Sequence, residues 1–122
     1  MAEILVVDDN EELRQLMCTS LTLAGHNVVA ATNGVAATRH IRERVPELVV
    51  SDIVMPDMDG LELILKITKE YPQMKILAVT GGGATDPGLR LTLAKHFGAH
   101  DTLNKPFSLG DLIEKVSSLL QS

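Results

Sequence analysis

Four short runs of almost unbroken aliphatic residues constrain this chain most: "EILVV" at 3–7, "NVVAA" at 27–31, "ELVVS" at 47–51 and "KILAV" at 75–79. None alternates between apolar and polar positions, so none reads as a strand with one wet face. Strands covered on both faces read this way, which means a parallel sheet. A shorter run, "DTLN" at 101–104, closes the series. Between the runs the apolar spacing changes to steps of three and four. Leu13, Leu16, Met17 and Leu21 follow the first run, and Leu109, Leu112, Ile113, Val116, Leu119 and Leu120 form one stripe after the fifth. "GLELILKITKEYP" gives a third helix, stopped near Pro72. Asp86 and Pro87 read as an N-cap followed by proline at the first helical position. Ser108 caps the last helix, with Asp111 favouring its N-terminus. A second helix over 35–45 has the narrowest apolar face: Ala37, Ile41 and Val45. Five strand–helix units predict an α/β fold, an open parallel sheet with helices on both faces, as one domain over residues 1–122.

Composition excludes several classes of function. Eleven basic against sixteen acidic side chains leave a net charge of −5. With no Lys/Arg cluster, this argues against direct nucleic-acid binding by the chain. The aliphatic runs are far too short to cross a bilayer, and "MAEILVVDD" has neither the basic start nor the long apolar stretch of a secretory signal. The single cysteine, Cys18, lies among apolar helical positions and reads as a small packed thiol. A cytoplasmic location is the expectation. His26, His40, His96 and His100 are scattered, without metal-ligand spacing.

In open parallel sheets, ligands bind at the carboxyl ends of the strands, where strand order reverses. The residues at those ends are Asp8 and Asp9 after the first run, Asp52 at the third, Thr80 after the fourth and Lys105 after the fifth. Two carboxylates about 4 Å apart repel by roughly 4 kcal/mol at an effective dielectric near 20. One lysine cannot balance three of them. A hard divalent ion such as Mg²⁺, which takes one or two carboxylates and keeps waters and phosphate oxygens, is the natural complement. Metal, lysine and hydroxyl together would stabilise charge on a phosphoryl group in transfer. A carboxylate held there can act as nucleophile and become an aspartyl phosphate.

Four stretches, "ILVVDD", "SDIVMPDMDGLEL", "AVTG" and "LNKPF", stand in order along the chain, each following a predicted strand. In them the chain resembles the receiver domain of two-component response regulators over essentially its whole length. The resemblance implies a flavodoxin-like (βα)5 fold with strand order 2-1-3-4-5. It implies that Asp52 accepts a phosphoryl group from the phosphohistidine of a sensor histidine kinase or a histidine phosphotransfer protein. Asp9 would bind Mg²⁺ (or Mn²⁺) directly, Asp8 mainly through water, and the backbone carbonyl of Val54 would be a third protein ligand beside Asp52. Lys105 would pair with the phosphoryl oxygens and Thr80 would turn inward to hydrogen-bond them. Pro106 would follow a cis peptide bond that helps aim Lys105. Such a domain is no enzyme in the ordinary sense: it catalyses its own phosphorylation and slow autodephosphorylation. Its output would be contact with a downstream protein or with an effector domain outside this chain.

The chain departs from that family in two places. Receivers usually carry Tyr or Phe three residues before the lysine, and Thr102 stands there instead. The expected consequence is that Thr80 still moves on activation while the surface of the fourth helix, fifth strand and fifth helix changes less. "TGGGATDPG" places three glycines after Thr80, which read as a mobile loop rather than a phosphate cradle. Two other functions fit the same chemistry less well. An aspartyl-phosphate hydrolase of the haloacid-dehalogenase type would carry Asp-x-Asp after its first strand, not the adjacent Asp8 and Asp9. A receiver-like binding module that is never phosphorylated would have lost pocket residues, and this chain keeps them.

Overall fold

Ten elements alternate along the chain in a computed structural model that describes residues 2–53, 60–80 and 87–122, with the backbone alone for 87–91. The strands are β1 (Glu3–Val7), β2 (Asn27–Ala31), β3 (Leu48–Asp52), β4 (Lys75–Thr80) and β5 (Asp101–Asn104). The helices are α1 (Glu11–Leu23), α2 (Gly34–Glu43), α3 (Gly60–Glu70), α4 (Pro87–Phe97) and α5 (Leu109–Gln121). All strand pairs are parallel, in the order β2-β1-β3-β4-β5. The parallel sheet is the one that the spacing predicts, and its order is the flavodoxin-like one that the resemblance implies. The order reverses between β1 and β3, and the first acidic pair follows β1 there.

The uninterrupted aliphatic runs are explained by two separate cores. Leu5, Val7, Val49, Ile53, Ile76 and Ala78 face one layer, with Ala37 and Ile41 of α2, Leu63, Ile64 and Ile67 of α3, and Ala94 of α4. Their neighbours Ile4, Val6, Leu48, Val50, Leu77 and Val79 face the other, with Met17 and Leu21 of α1 and Leu112, Val116 and Leu119 of α5. Every second residue of a central strand serves a different core, so between the strand ends both parities are apolar except at Ser51, whose buried hydroxyl donates to the Asp52 carbonyl. Each buried Leu, Ile or Val contributes roughly 1.5–3 kcal/mol of transfer free energy.

The outer strand β2 differs from expectation. Its sequence is as apolar as that of the inner strands, yet Val29 and Ala30 are exposed. β2 has only β1 as a neighbour. An edge position, not composition, decides its coverage. Val45 departs too. It was expected on the buried face of the second helix, but α2 ends at Glu43, Arg44 is already extended, and Val45 is exposed. Pro46 follows it, and a residue before proline is pushed out of the helical region. Ala37 and Ile41 are buried as the spacing predicts.

The caps follow the sequence. Asn10 Oδ1 accepts the Leu13 N–H at the start of α1, Asn33 Oδ1 accepts from Ala36 before α2, and Ser108 Oγ accepts from Asp111 before α5. Gly60 has a stricter reason. Its N–H donates to the Ile53 carbonyl at 2.9 Å, and a Cβ there would collide with the Asp52 carbonyl oxygen and Ile53 Cα. Only glycine lets α3 start directly against the end of β3. Gly98, at φ 131°, is the comparable point after α4, where a side chain would strike the Thr68 hydroxyl. Asp57, Asp59, Met55, Met58, the glycines 81–83 and Asp86 lie outside the described residues.

Candidate functional site: an acidic crevice at the carboxyl ends of the strands

The strand ends bring the predicted side chains together. One carboxylate oxygen each from Asp8, Asp9 and Asp52 lies within 4.8 Å of the others. Asp8 is fully buried, Asp52 is 6% exposed, and Asp9 faces solvent. The Lys105 ammonium reaches across from the end of β5, 3.2 Å from Asp52 Oδ2 and 3.2 Å from Asp8 Oδ2. With Asp52 the contact is a directed hydrogen bond. With Asp8 Oδ2 it is charge attraction off the hydrogen-bonding direction, because among the described residues that oxygen has no geometrically satisfactory hydrogen bond. Burial pulls the Lys105 pKa down, but the Asp52 and Asp8 carboxylates outweigh it and the net shift is upward. A raised lysine pKa stabilises the fold fully below the ordinary lysine value. That contribution is lost as pH rises through the folded value.

Thr80 ends β4, fully buried, and among the described residues its hydroxyl has no hydrogen-bond partner. An unsatisfied buried hydroxyl costs about 1–3 kcal/mol. The backbone beneath is tied down: the Lys105 N–H donates to the Thr80 carbonyl at 2.6 Å, and the Ile53 N–H to the Val79 carbonyl at 3.0 Å. The Lys105–Pro106 peptide bond is cis. Thr102 is half-buried in β5, paired in register with Ala78, and its N–H is held by Asp101 Oδ1 at 2.8 Å. Val54 lies outside the described residues.

The donor set suits a hard divalent cation. Three carboxylates against one ammonium leave two uncompensated negative charges, all ligand atoms are oxygen, and one carboxylate is open to water. Nothing in the set favours a soft metal.

One residue near this site was not anticipated. Arg14, on the second turn of α1, is half-buried and donates from Nη1 to the Asp8 carbonyl at 2.9 Å. A signal was available. Cations are disfavoured near a helix N-terminus, so a basic residue this soon after two aspartates calls for a local partner. Cys18, one turn further on, is half-buried against the α1–α5 core. Burial raises its thiol pKa and Arg14 opposes the rise. His26 and His100 each accept a backbone N–H at Nδ1, from Ala2 and Ile76 respectively, as packing residues do.

A hollow of about 440 Å³ lies elsewhere, near the amino ends of β3 and β4, lined by Val45, Tyr71, Pro72, Met74 and Leu120 among others. Among the described residues it gathers no acidic cluster, so its size is no guide to the chemistry.

Comparison with known proteins agrees with the geometry. The family described as response regulator receiver domain matches residues 4–117. The response regulator receiver protein CpdR of Brucella abortus is 32% identical over 120 residues, covering 98% of both chains. The response regulator protein FleR of Pseudomonas aeruginosa is 37% identical over 116 residues, covering 95% of this chain and 24% of its own. The chain thus spans a quarter of one such relative and nearly all of another. Among solved structures, the receiver domain of NtrX from Brucella abortus superposes with a TM-score of 0.91 at 32% identity, over 98% of both chains. The chemotaxis protein CheY4 of Vibrio cholerae gives 0.86 at 29% identity, again over 98% of both.

Proposed function

The chain belongs to the response regulator receiver domain family, and on that footing we propose that it is a phosphorylation-controlled signalling domain whose phosphoacceptor is Asp52. The observation that carries this reading is the convergence of Asp8, Asp9 and Asp52 within 4.8 Å, with one lysine bridging the two buried carboxylates. A carboxylate oxygen of Asp52 attacks phosphorus. The bond from phosphorus to the donor's histidine nitrogen breaks, and its electron pair leaves with the imidazole. Lys105 moves from pairing with carboxylates to pairing with phosphoryl oxygens. The Thr80 hydroxyl finds in those oxygens the acceptor it lacks. Mg²⁺ or Mn²⁺ would be held directly by Asp9 and Asp52, mainly through water by Asp8, and, as the resemblance implies, by the backbone carbonyl of Val54, and it would supply positive charge against the transferred group. A sensor histidine kinase or a histidine phosphotransfer protein is the donor, in the cytoplasm. The readout is contact with a downstream protein or effector domain, without direct nucleic-acid or membrane binding by this chain. No helix among the described residues is long and apolar enough to cross a membrane.

The direct test uses a small phosphodonor such as acetyl phosphate with Mg²⁺, followed by peptide mass analysis. We expect one phosphoryl group, on Asp52, that fails to appear when the metal is chelated. Labelling at another residue, or labelling indifferent to chelation, contradicts the assignment.

Thr102 shapes the second part of the reading. A half-buried threonine cannot vacate or fill the volume of an aromatic ring. Thr80 therefore turns toward the phosphoryl group while the surface of α4, β5 and α5 shifts little. Crystal structures with and without a beryllofluoride mimic check this. A large rearrangement of that surface in the mimic-bound form refutes it.

A further inference from the structure

We propose that Arg14 is a positioning residue for the cation-binding pair, acting through the Asp8 carbonyl; this rests on the reading of the crevice as a divalent-metal site. The β1–α1 turn is fixed at four points. The Asp8 N–H donates to the Ala31 carbonyl at 3.2 Å, the Asn10 N–H to Asp8 Oδ1 at 2.9 Å, and the Leu13 N–H to Asn10 Oδ1 at 3.0 Å. The fourth point is the guanidinium on the Asp8 carbonyl at 2.9 Å. Asp9 comes next in the chain and is exposed. Among the described residues its carboxylate makes no hydrogen bond or ion pair, so its aim is set by the backbone that carries it. The peptide unit joining Asp8 to Asp9 is the one Arg14 grips. A planar guanidinium on a carbonyl restricts that peptide's rotation more than a single flexible donor does.

The two roles open to Arg14 predict opposite signs. As a nearby positive charge only, it repels a metal ion, and its removal tightens metal binding. As a clamp it orients Asp9, and its removal weakens binding. Residues that orient metal ligands from behind typically matter by 10- to 100-fold in affinity, so clamping outweighs the modest repulsion.

Titration of the full chain with Mn²⁺, followed by electron paramagnetic resonance, reads this without phosphotransfer. Arg14→Met is expected to bind Mn²⁺ about tenfold more weakly than the parent. Arg14→Lys, which restores charge and a donor, is expected to recover part of the loss. In the metal-free Arg14→Met protein the Asn10 amide should exchange with solvent faster. Mn²⁺ affinity equal to or tighter than the parent overturns the proposal. So does an Asn10 amide that exchanges no faster in Arg14→Met, which would mean that the turn is held without the guanidinium. If Arg14→Met does not fold by circular dichroism, Arg14→Gln carries the same comparison. A parent protein that binds no Mn²⁺ fails differently, because it removes the metal reading itself along with this one.

Discussion

Asp52→Asn is expected to abolish phosphoryl labelling and yet to make the metal-free protein more stable, by about 1–3 kcal/mol. The argument is electrostatic. At an effective dielectric near 20, the Lys105 ammonium at 3.2 Å attracts the Asp52 carboxylate by about 5 kcal/mol. Buried Asp8, within 4.8 Å, repels it by about 3 to 4 kcal/mol, and exposed Asp9, screened by solvent, by about 1 to 2 kcal/mol. Attraction and repulsion then nearly cancel, and the cost of burying a charge, which asparagine avoids, decides the sign. Urea unfolding in chelator, with and without added Mg²⁺, measures the effect. The parent should gain stability from Mg²⁺ and the variant should gain little, because a ligand stabilises only the state that binds it. If Asp52→Asn is less stable than the parent in chelator, the crevice is not electrostatically frustrated, and the case for a cation weakens with it.

Lys105→Met should have the opposite sign. Its removal leaves two buried carboxylates facing each other with no ammonium between them. Breaking a buried ion pair by deleting one partner costs about 3–5 kcal/mol. Here the lysine keeps some solvent contact, and about 2–4 kcal/mol is expected in metal-free buffer. Added Mg²⁺ should restore more stability to this variant than to the parent, since the ion then competes with no ammonium. Labelling by the phosphodonor should fall about 100-fold or more even so, because one preorganised positive group facing the transferred oxygens is gone. Unchanged stability in chelator would mean that Lys105 is not held between the carboxylates in solution.

Much of this was legible in the sequence for a simple reason. In a parallel sheet covered on both sides, hydrophobicity without alternation marks the strand, and the first polar residue after it marks the rim. Asp8, Asp52, Thr80 and Lys105 could therefore be placed at one edge before any geometry was known. What failed depended on tertiary position. "NVVAA" looks like an inner strand because its composition carries no information about its neighbours, and only the strand order exposes Val29. Val45 carried the helical period past the point where Pro46 ends it. Arg14's place near a helix N-terminus signals a local partner, but that the partner is the Asp8 carbonyl leaves no trace in side-chain patterns. Gly60 reads from the sequence as the first residue of the third helix. The reason only glycine fits there, contact with the backbone of residues 52 and 53, belongs to the packing of α3 on β3.

The division of the interior by the sheet carries one more implication. Because adjacent residues of the same strand point into compartments that share no side chains, the α1–α5 half and the α2–α3–α4 half can drift independently. New surfaces suited to new signalling companions could arise on one half while the opposite half keeps its packing. The acidic rim lies along the seam where the two halves meet, so its chemistry can stay fixed while the outer surfaces diversify.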